Sequence, residues 1–168
     1  MYSGVIRTGM QMLIGPFADG SFIPVQVRSI QSRRAPMESA GPGLSCAVSL
    51  RSLQRKRPLK KPFLRRGMVL IARSHDPPKA CRVFEAEIVV LHHPTTIKKN
   101  YQAVVHCGSI RQTAQIEVMD RKCLRTGDKA TVRFRFMVRP EFMRTGGTLI
   151  FREGGCKGIG TVRRVFAK

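Results

Sequence analysis

The sequence predicts an all-β chain, folded as two small antiparallel β-barrels of which the first is incomplete. Three observations carry this: strand-forming runs recur about every eight to fifteen residues, explicit turn chemistry separates them, and no long segment keeps a helical period. Taken in order, the first run, 4–14, ends at Gly15-Pro16, and the second, 22–30, opens just after Asp19-Gly20. The third, 44–53, follows Gly41-Pro42-Gly43, and the fourth, 68–72, is the apolar block Met68-Val69-Leu70-Ile71-Ala72. Runs at 84–91, 101–107 and 113–119 come next, then 130–138 after Gly127-Asp128, 148–152 after Gly146-Gly147, and 160–166. The glycine-rich stretch 154–160 reads as a turn. Alternation is cleanest in Thr131-Val132-Arg133-Phe134-Arg135-Phe136, where Val and Phe would face a core and Thr and Arg would face water. The same rule makes Glu85 and Glu87 the wet face of 84–91.

Pro77-Pro78 interrupts any ladder, so the boundary is expected in Ser74-His75-Asp76-Pro77-Pro78-Lys79. Residues 1–74 form the first barrel, 75–81 the linker and 82–168 the second. A chain of 168 residues can bury roughly two-thirds of its unfolded surface. No apolar run approaches the roughly 20 residues of a membrane span, and the opening residues have no basic leader and apolar block. The expectation is a soluble, cytoplasmic protein with no membrane partner.

Charge is the strongest compositional fact. Lys and Arg total 31 against 10 Asp and Glu, a net +21, while 42% of residues stay hydrophobic. A disordered basic tail sheds hydrophobics; this chain keeps them, which favours a folded binder of polyanions. The excess is shared: residues 1–80 hold 14 cations and 3 acids, and 81–168 hold 17 and 7. It is densest in 51–66, where Arg51, Arg55, Lys56, Arg57, Lys60, Lys61, Arg65 and Arg66 stand with no acid and with Pro58 and Pro62 among them. Such a segment is an exposed loop. It is either a solvated or nuclear-targeting-like run or a finger that contacts phosphates.

Other constellations lead to ordinary packing. Cys46, Cys81, Cys107, Cys123 and Cys156 contain no C-x-x-C, and His75, His92, His93 and His106 add no short-spaced zinc pair, so buried, reduced thiols are expected. His106 and Cys107 are neighbours in one strand and would point to opposite faces, which separates a would-be Cys-His pair. Two Tyr, no Trp and nine Phe give base stacking a narrow aromatic supply.

Four blocks in the second half carry a resemblance: Phe84-Glu85-Ala86-Glu87-Ile88-Val89-Val90-Leu91, Thr113-Ala114-Gln115-Ile116-Glu117-Val118, Leu124-Arg125-Thr126-Gly127-Asp128-Lys129-Ala130 and Phe151-Arg152-Glu153-Gly154-Gly155. In this order they resemble the third domain of elongation factor Tu. With Leu91-His92-His93-Pro94-Thr95-Thr96 and His106-Cys107-Gly108-Ser109-Ile110-Arg111-Gln112-Thr113, the wording is most similar to the GTP-binding protein 1 and GTP-binding protein 2 family. In the first half, Gly4-Val5-Ile6-Arg7-Thr8-Gly9, Leu13-Ile14-Gly15-Pro16, Val27-Arg28-Ser29-Ile30 and Arg65-Arg66-Gly67-Met68-Val69-Leu70 are similar to the end of the family's second domain, without the strand that opens it.

The resemblance implies a barrel region of a translational GTPase that binds tRNA or the ribosome and packs on a GTPase domain. It adds Arg152 and Lys157 as candidate contacts, because the family's final hairpin touches tRNA; here Cys156 and Lys157 stand where elongation factor Tu has Arg and Thr. GTP and magnesium belong to the family's GTPase domain. This chain has neither G-x-x-x-x-G-K-[S/T] nor N-K-x-D, so no cofactor and no catalysis are expected of these residues. The alternative is a protein-docking module whose charge attracts RNA only nonspecifically.

Overall fold

The computed structural model describes residues 3–73 and 78–167. His75 and the start of the expected linker lie outside the described residues. The chain is all-β: among the described residues there is no α-helix, and one 3-10 turn, Lys61–Phe63, interrupts the strands. In chain order these are β1 (Ile6–Arg7), β2 (Gln11–Gly15), β3 (Ile23–Ser32), β4 (Ala35–Met37), β5 (Ser39–Ala40), β6 (Ala47–Ser52) and β7 (Val69–Ala72). They continue with β8 (Cys81–His92), β9 (Gln102–Cys107), β10 (Ile110–Met119), β11 (Lys129–Phe136), β12 (Thr148–Glu153) and β13 (Cys156–Ala167).

Two compact units emerge. The first is Met1–Gly15, Phe22–Leu64 and Val69–Pro78; the second is Pro16–Ser21, Arg65–Met68 and Lys79–Lys168. Two short pieces of the first half, 16–21 and 65–68, thus cluster with the second unit, which a linear division of the sequence does not anticipate.

In the second unit, β10-β11-β8-β13-β12-β9 close into a six-stranded antiparallel barrel. Alternation builds it. Ala130, Val132, Phe134 and Phe136 of β11 are buried, as are Phe84, Ala86, Ile88 and Val90 of β8. Phe84 sits at the centre, 5.3 Å from the Phe134 ring and 5.1 Å from Phe136, with Phe151 6.1 Å from Phe134. The outward residues pair across strands: Arg133 reaches Glu85 at 3.5 Å, while Arg135 bonds Glu117 and Arg163 bonds Glu87.

The stretch 154–160 corrects the sequence reading. Only Gly154 and Gly155 turn, and β13 begins at Cys156. Gly158 lies in the ladder directly opposite Phe151, where a Cβ would fall 2.0 Å from the phenyl ring. Its glycine makes room for the ring, not for a bend.

The first unit holds an open five-stranded sheet, β4-β3-β2-β7 with β6 on the other side of β3, and the two-stranded pair β1-β5. Among the described residues it does not close into a barrel, in keeping with the incomplete barrel expected. The run 4–14 divides at Gly9, whose φ of +85° a turn requires, into β1 and β2. A bulge between Val27 and Ser29 shifts the inward set of β3 from Val25 and Val27 to Ile30.

Candidate nucleic-acid interface

The basic segment starts at the end of β6 with Arg51, opposite Gln26. Ser52 then ties a tight loop: its Oγ donates to the Arg57 carbonyl at 2.7 Å and accepts from the Gln54 amide at 3.1 Å. The Arg57 amide closes on the Gln54 carbonyl at 3.2 Å. Arg55, Lys56 and Arg57 are all exposed on this loop. Pro62, with its fixed φ, opens the 3-10 turn that carries Lys61 and Phe63, and Lys60 caps it. Lys60, Lys61 and Arg66 are exposed as well. Among the described residues, none of Arg51, Arg55, Lys56, Lys60, Lys61 and Arg66 forms an ion pair.

Arg65 is set apart from its neighbours. Its side chain is only 15% exposed, and Nη1 donates to both oxygens of Glu141, at 3.0 and 2.9 Å. Nη2 donates to the Pro16 carbonyl at 3.1 Å. Glu141 is itself buried and also accepts from Gln112 Nε2 at 2.9 Å. This guanidinium holds the second unit together and is not presented to a ligand.

Arg152 and Lys157 form a second cationic point. They are direct partners across the β12-β13 hairpin, both exposed, and neither is in an ion pair among the described residues. Like charges facing across strands repel, so an anion bound between them would relieve a cost already present in the fold.

One row on the barrel's outer face is apolar. The ladder aligns His106, Ile150, Ile159, Val89 and Lys129 from β9 to β11. Ile150 and Ile159 are exposed at 46% and 39%, and Leu91, two residues beyond Val89, at 56%. The sequence reading passed over this row, because alternation alone places Ile150 and Ile159 opposite the buried face without showing that they align.

It also passed over Phe63. Of nine phenylalanines, Phe63 is the most exposed, at 58%. Its signal in the sequence is its place in a cationic, proline-broken segment with no alternation to bury it.

Three of the thiols lie in or against the barrel core. Cys107 packs against the barrel core while His106 faces out, and burial pushes the Cys107 thiol up. Burial and then Glu141 push Cys81 up to about 12, and burial also raises Cys156 and Tyr101. All five cysteines are free, and no cluster of metal-ligating side chains occurs among the described residues. The turn at Gly154-Gly155 joins two strands of a hairpin, with no helix start to receive phosphates, so these residues do not fit a nucleoside triphosphate.

No protein-family model matches the chain. It is 44% identical over 162 residues, 96% of its length, to GTP-binding protein 1 of Xenopus laevis, and 43% identical over 166 residues, 98% of its length, to GTP-binding protein 2 of Homo sapiens. It is also 26% identical over 89% of its length to elongation factor 1-alpha of Eimeria bovis. The chain spans 24% and 26% of the two GTP-binding proteins and 39% of the elongation factor. With its all-β architecture and closed barrel, the chain resembles the C-terminal β-barrel domains of the GTP-binding protein 1 and GTP-binding protein 2 family of elongation-factor-like translational GTPases.

Proposed function

We propose that the chain is the RNA-binding barrel region of a translational GTPase of the elongation or ribosome-rescue type. It docks in the cytoplasm on tRNA or ribosomal RNA, and a GTP-binding domain supplied from outside these residues does the hydrolysis. Residues 1–74 and 82–168 act as the two binding lobes, joined through 75–81. The contacts are Arg51, Arg55, Lys56, Arg57, Lys60, Lys61 and Arg66 on one segment and Arg152 and Lys157 on the hairpin.

One observation carries this reading. The acids Glu85, Glu87, Glu117 and Glu141 are engaged by Arg133, Arg163, Arg135 and Arg65, whereas Arg51, Arg55, Lys56, Lys60, Lys61 and Arg66 are exposed and without ion pairs among the described residues. Positive charge left unneutralised by its own fold is available to a phosphate backbone.

The test is anisotropy of labelled deacylated tRNA, aminoacyl-tRNA and an unrelated RNA duplex, titrated with salt. With about six phosphates neutralised, log K is expected to fall with log salt at a slope of about −4 to −5. Replacing Arg55, Lys56 and Arg57 together by Gln is expected to reduce the slope by about one per cation removed. A preference for aminoacyl-tRNA that survives physiological salt supports elongation-factor-type recognition. Equal, salt-labile binding of all three reduces the claim to nonspecific attraction.

The row of Val89, Ile150 and Ile159, with Leu91 beside it, favours a second reading: a face on which a GTP-binding domain docks. The lengths of the relatives leave ample sequence for such a domain. Affinity for that partner would change little with salt once docked.

A further inference from the structure

We propose that the basic segment binds unpaired nucleotides, with Phe63 as the platform on which one base stacks. This rests on the RNA reading above and names the kind of RNA. A phosphate-tracking surface needs only cations, and a phenylalanine held in water amid them adds nothing to it. Exposing an aromatic ring costs hydrophobic free energy, so its presentation is informative when the same chain buries other rings efficiently. Here Phe84, Phe134, Phe136 and Phe151 are fully buried, and Phe166, the next most exposed at 37%, lies beneath the Arg133 guanidinium at 4.8 Å. Among the described residues no cation lies over the Phe63 ring. It is also held in place: Pro62 and the bonds from the Phe63 amide to the Lys60 carbonyl at 3.1 Å and from the Leu64 amide to the Lys61 carbonyl at 3.0 Å fix its backbone.

A ring on a short, pinned turn, with Lys60 and Lys61 just before it, has the makings of a single-strand site. The cations take the phosphates on either side of a base, and the ring takes its π-face. A duplex cannot use the ring, because its bases are already stacked on one another. Leu53 and Leu64, each 40% exposed, extend the apolar part of the segment. Stacking is tolerant of sequence, so purines are expected to bind more tightly than pyrimidines and no single motif is required.

The experiment compares oligoadenylate, oligouridylate and a blunt RNA duplex of equal length, about 12 nucleotides, against the whole chain and three variants: Phe63→Ala, Phe63→Tyr, and the triple Gln replacement of Arg55, Lys56 and Arg57. Phe63→Ala is expected to weaken oligoadenylate binding roughly 5- to 100-fold while leaving the salt slope unchanged and duplex binding within about twofold. Phe63→Tyr is expected to restore single-strand binding. Because Phe63 is exposed, its variants should melt with the parent chain, and a thermal scan checks this. Equal losses on single strand and duplex, or no loss on either, overturn the stacking proposal. If the charge variant weakens RNA binding and Phe63→Ala does not, stacking fails and the RNA reading stands. If neither variant matters, the RNA reading fails as well. A loss of sedimentation with phosphatidylserine vesicles, without a loss on RNA, also overturns the proposal and assigns the ring to an anionic lipid surface.

Discussion

Arg65 and Arg66 are adjacent in a run of cations, and they do opposite things. Arg66 faces solvent; Arg65 is pinned between Glu141 and the Pro16 carbonyl. The Glu141 carboxylate depends on this partner and on Gln112, whose Oε1 in turn accepts from the amides of Val138 and Arg139 at 3.0 and 2.7 Å. Removing one partner of a buried pair leaves the other charge uncompensated, so Glu141→Ala is expected to cost about 3–5 kcal/mol in urea unfolding. Arg66→Ala is expected to stay within about 0.5 kcal/mol; equal effects of the two would refute the division of roles. Nothing in the sequence separates Arg65 from its neighbours, since its acid lies 76 positions away. The inward set Val132, Phe134 and Phe136, by contrast, was legible at once, because period-two alternation is a local property.

At the scale of elements, the β12-β13 hairpin shows how glycine misleads. Four glycines between 154 and 160 suggest a long turn, but two of them are strand residues chosen by their neighbours. Gly158 accommodates Phe151, and a Cβ on Gly160 would come 2.5 Å from the Glu87 carbonyl oxygen. Gly158→Ala is therefore expected to destabilise the barrel by about 3 kcal/mol or more, at or beyond the upper end of ordinary overpacking. Adding Phe151→Leu should recover part of the loss in a thermal melt; no recovery would show that the ring is not the obstacle. The β3-β4 hairpin was hidden for the converse reason. Arg33 and Arg34 take positive φ of 50° and 69° in its two-residue turn, where glycine or asparagine is the usual marker. The candidate contacts at 51–66, in contrast, stood out from charge and proline alone, while Phe63 needed a measure of exposure.

For the molecule as a whole, a net charge of +21 acts against the fold that carries it. Local pairing relieves this unevenly. The barrel's outer face sets its acids against arginines, but residues 1–80 offer only Asp19, Glu38 and Asp76 to 14 cations. Added salt screens both attraction and repulsion, and with this imbalance repulsion is the larger sum. The melting temperature is expected to rise between low and physiological salt, as a differential scanning measurement would record; a fall would mean that the exposed ion pairs matter more than the net charge. This imbalance could be read from composition, which counts charges without needing their positions. The division into units could not be read from the order of residues, because 16–21 and 65–68 leave their own stretch of chain to join the other unit.

The barrel's strand order has a consequence for how the protein is made. β8 lies between β11 and β13, and β13 also pairs with β12, so the ring has no last seam to close until β13 has been synthesised. During translation β8 and β12 each present a bare edge to the crowded space around the ribosome, and both are covered in a single step when the residues up to Ala167 emerge. The second unit should thus acquire its native form late and all at once, dependent throughout on whatever shields a half-made sheet.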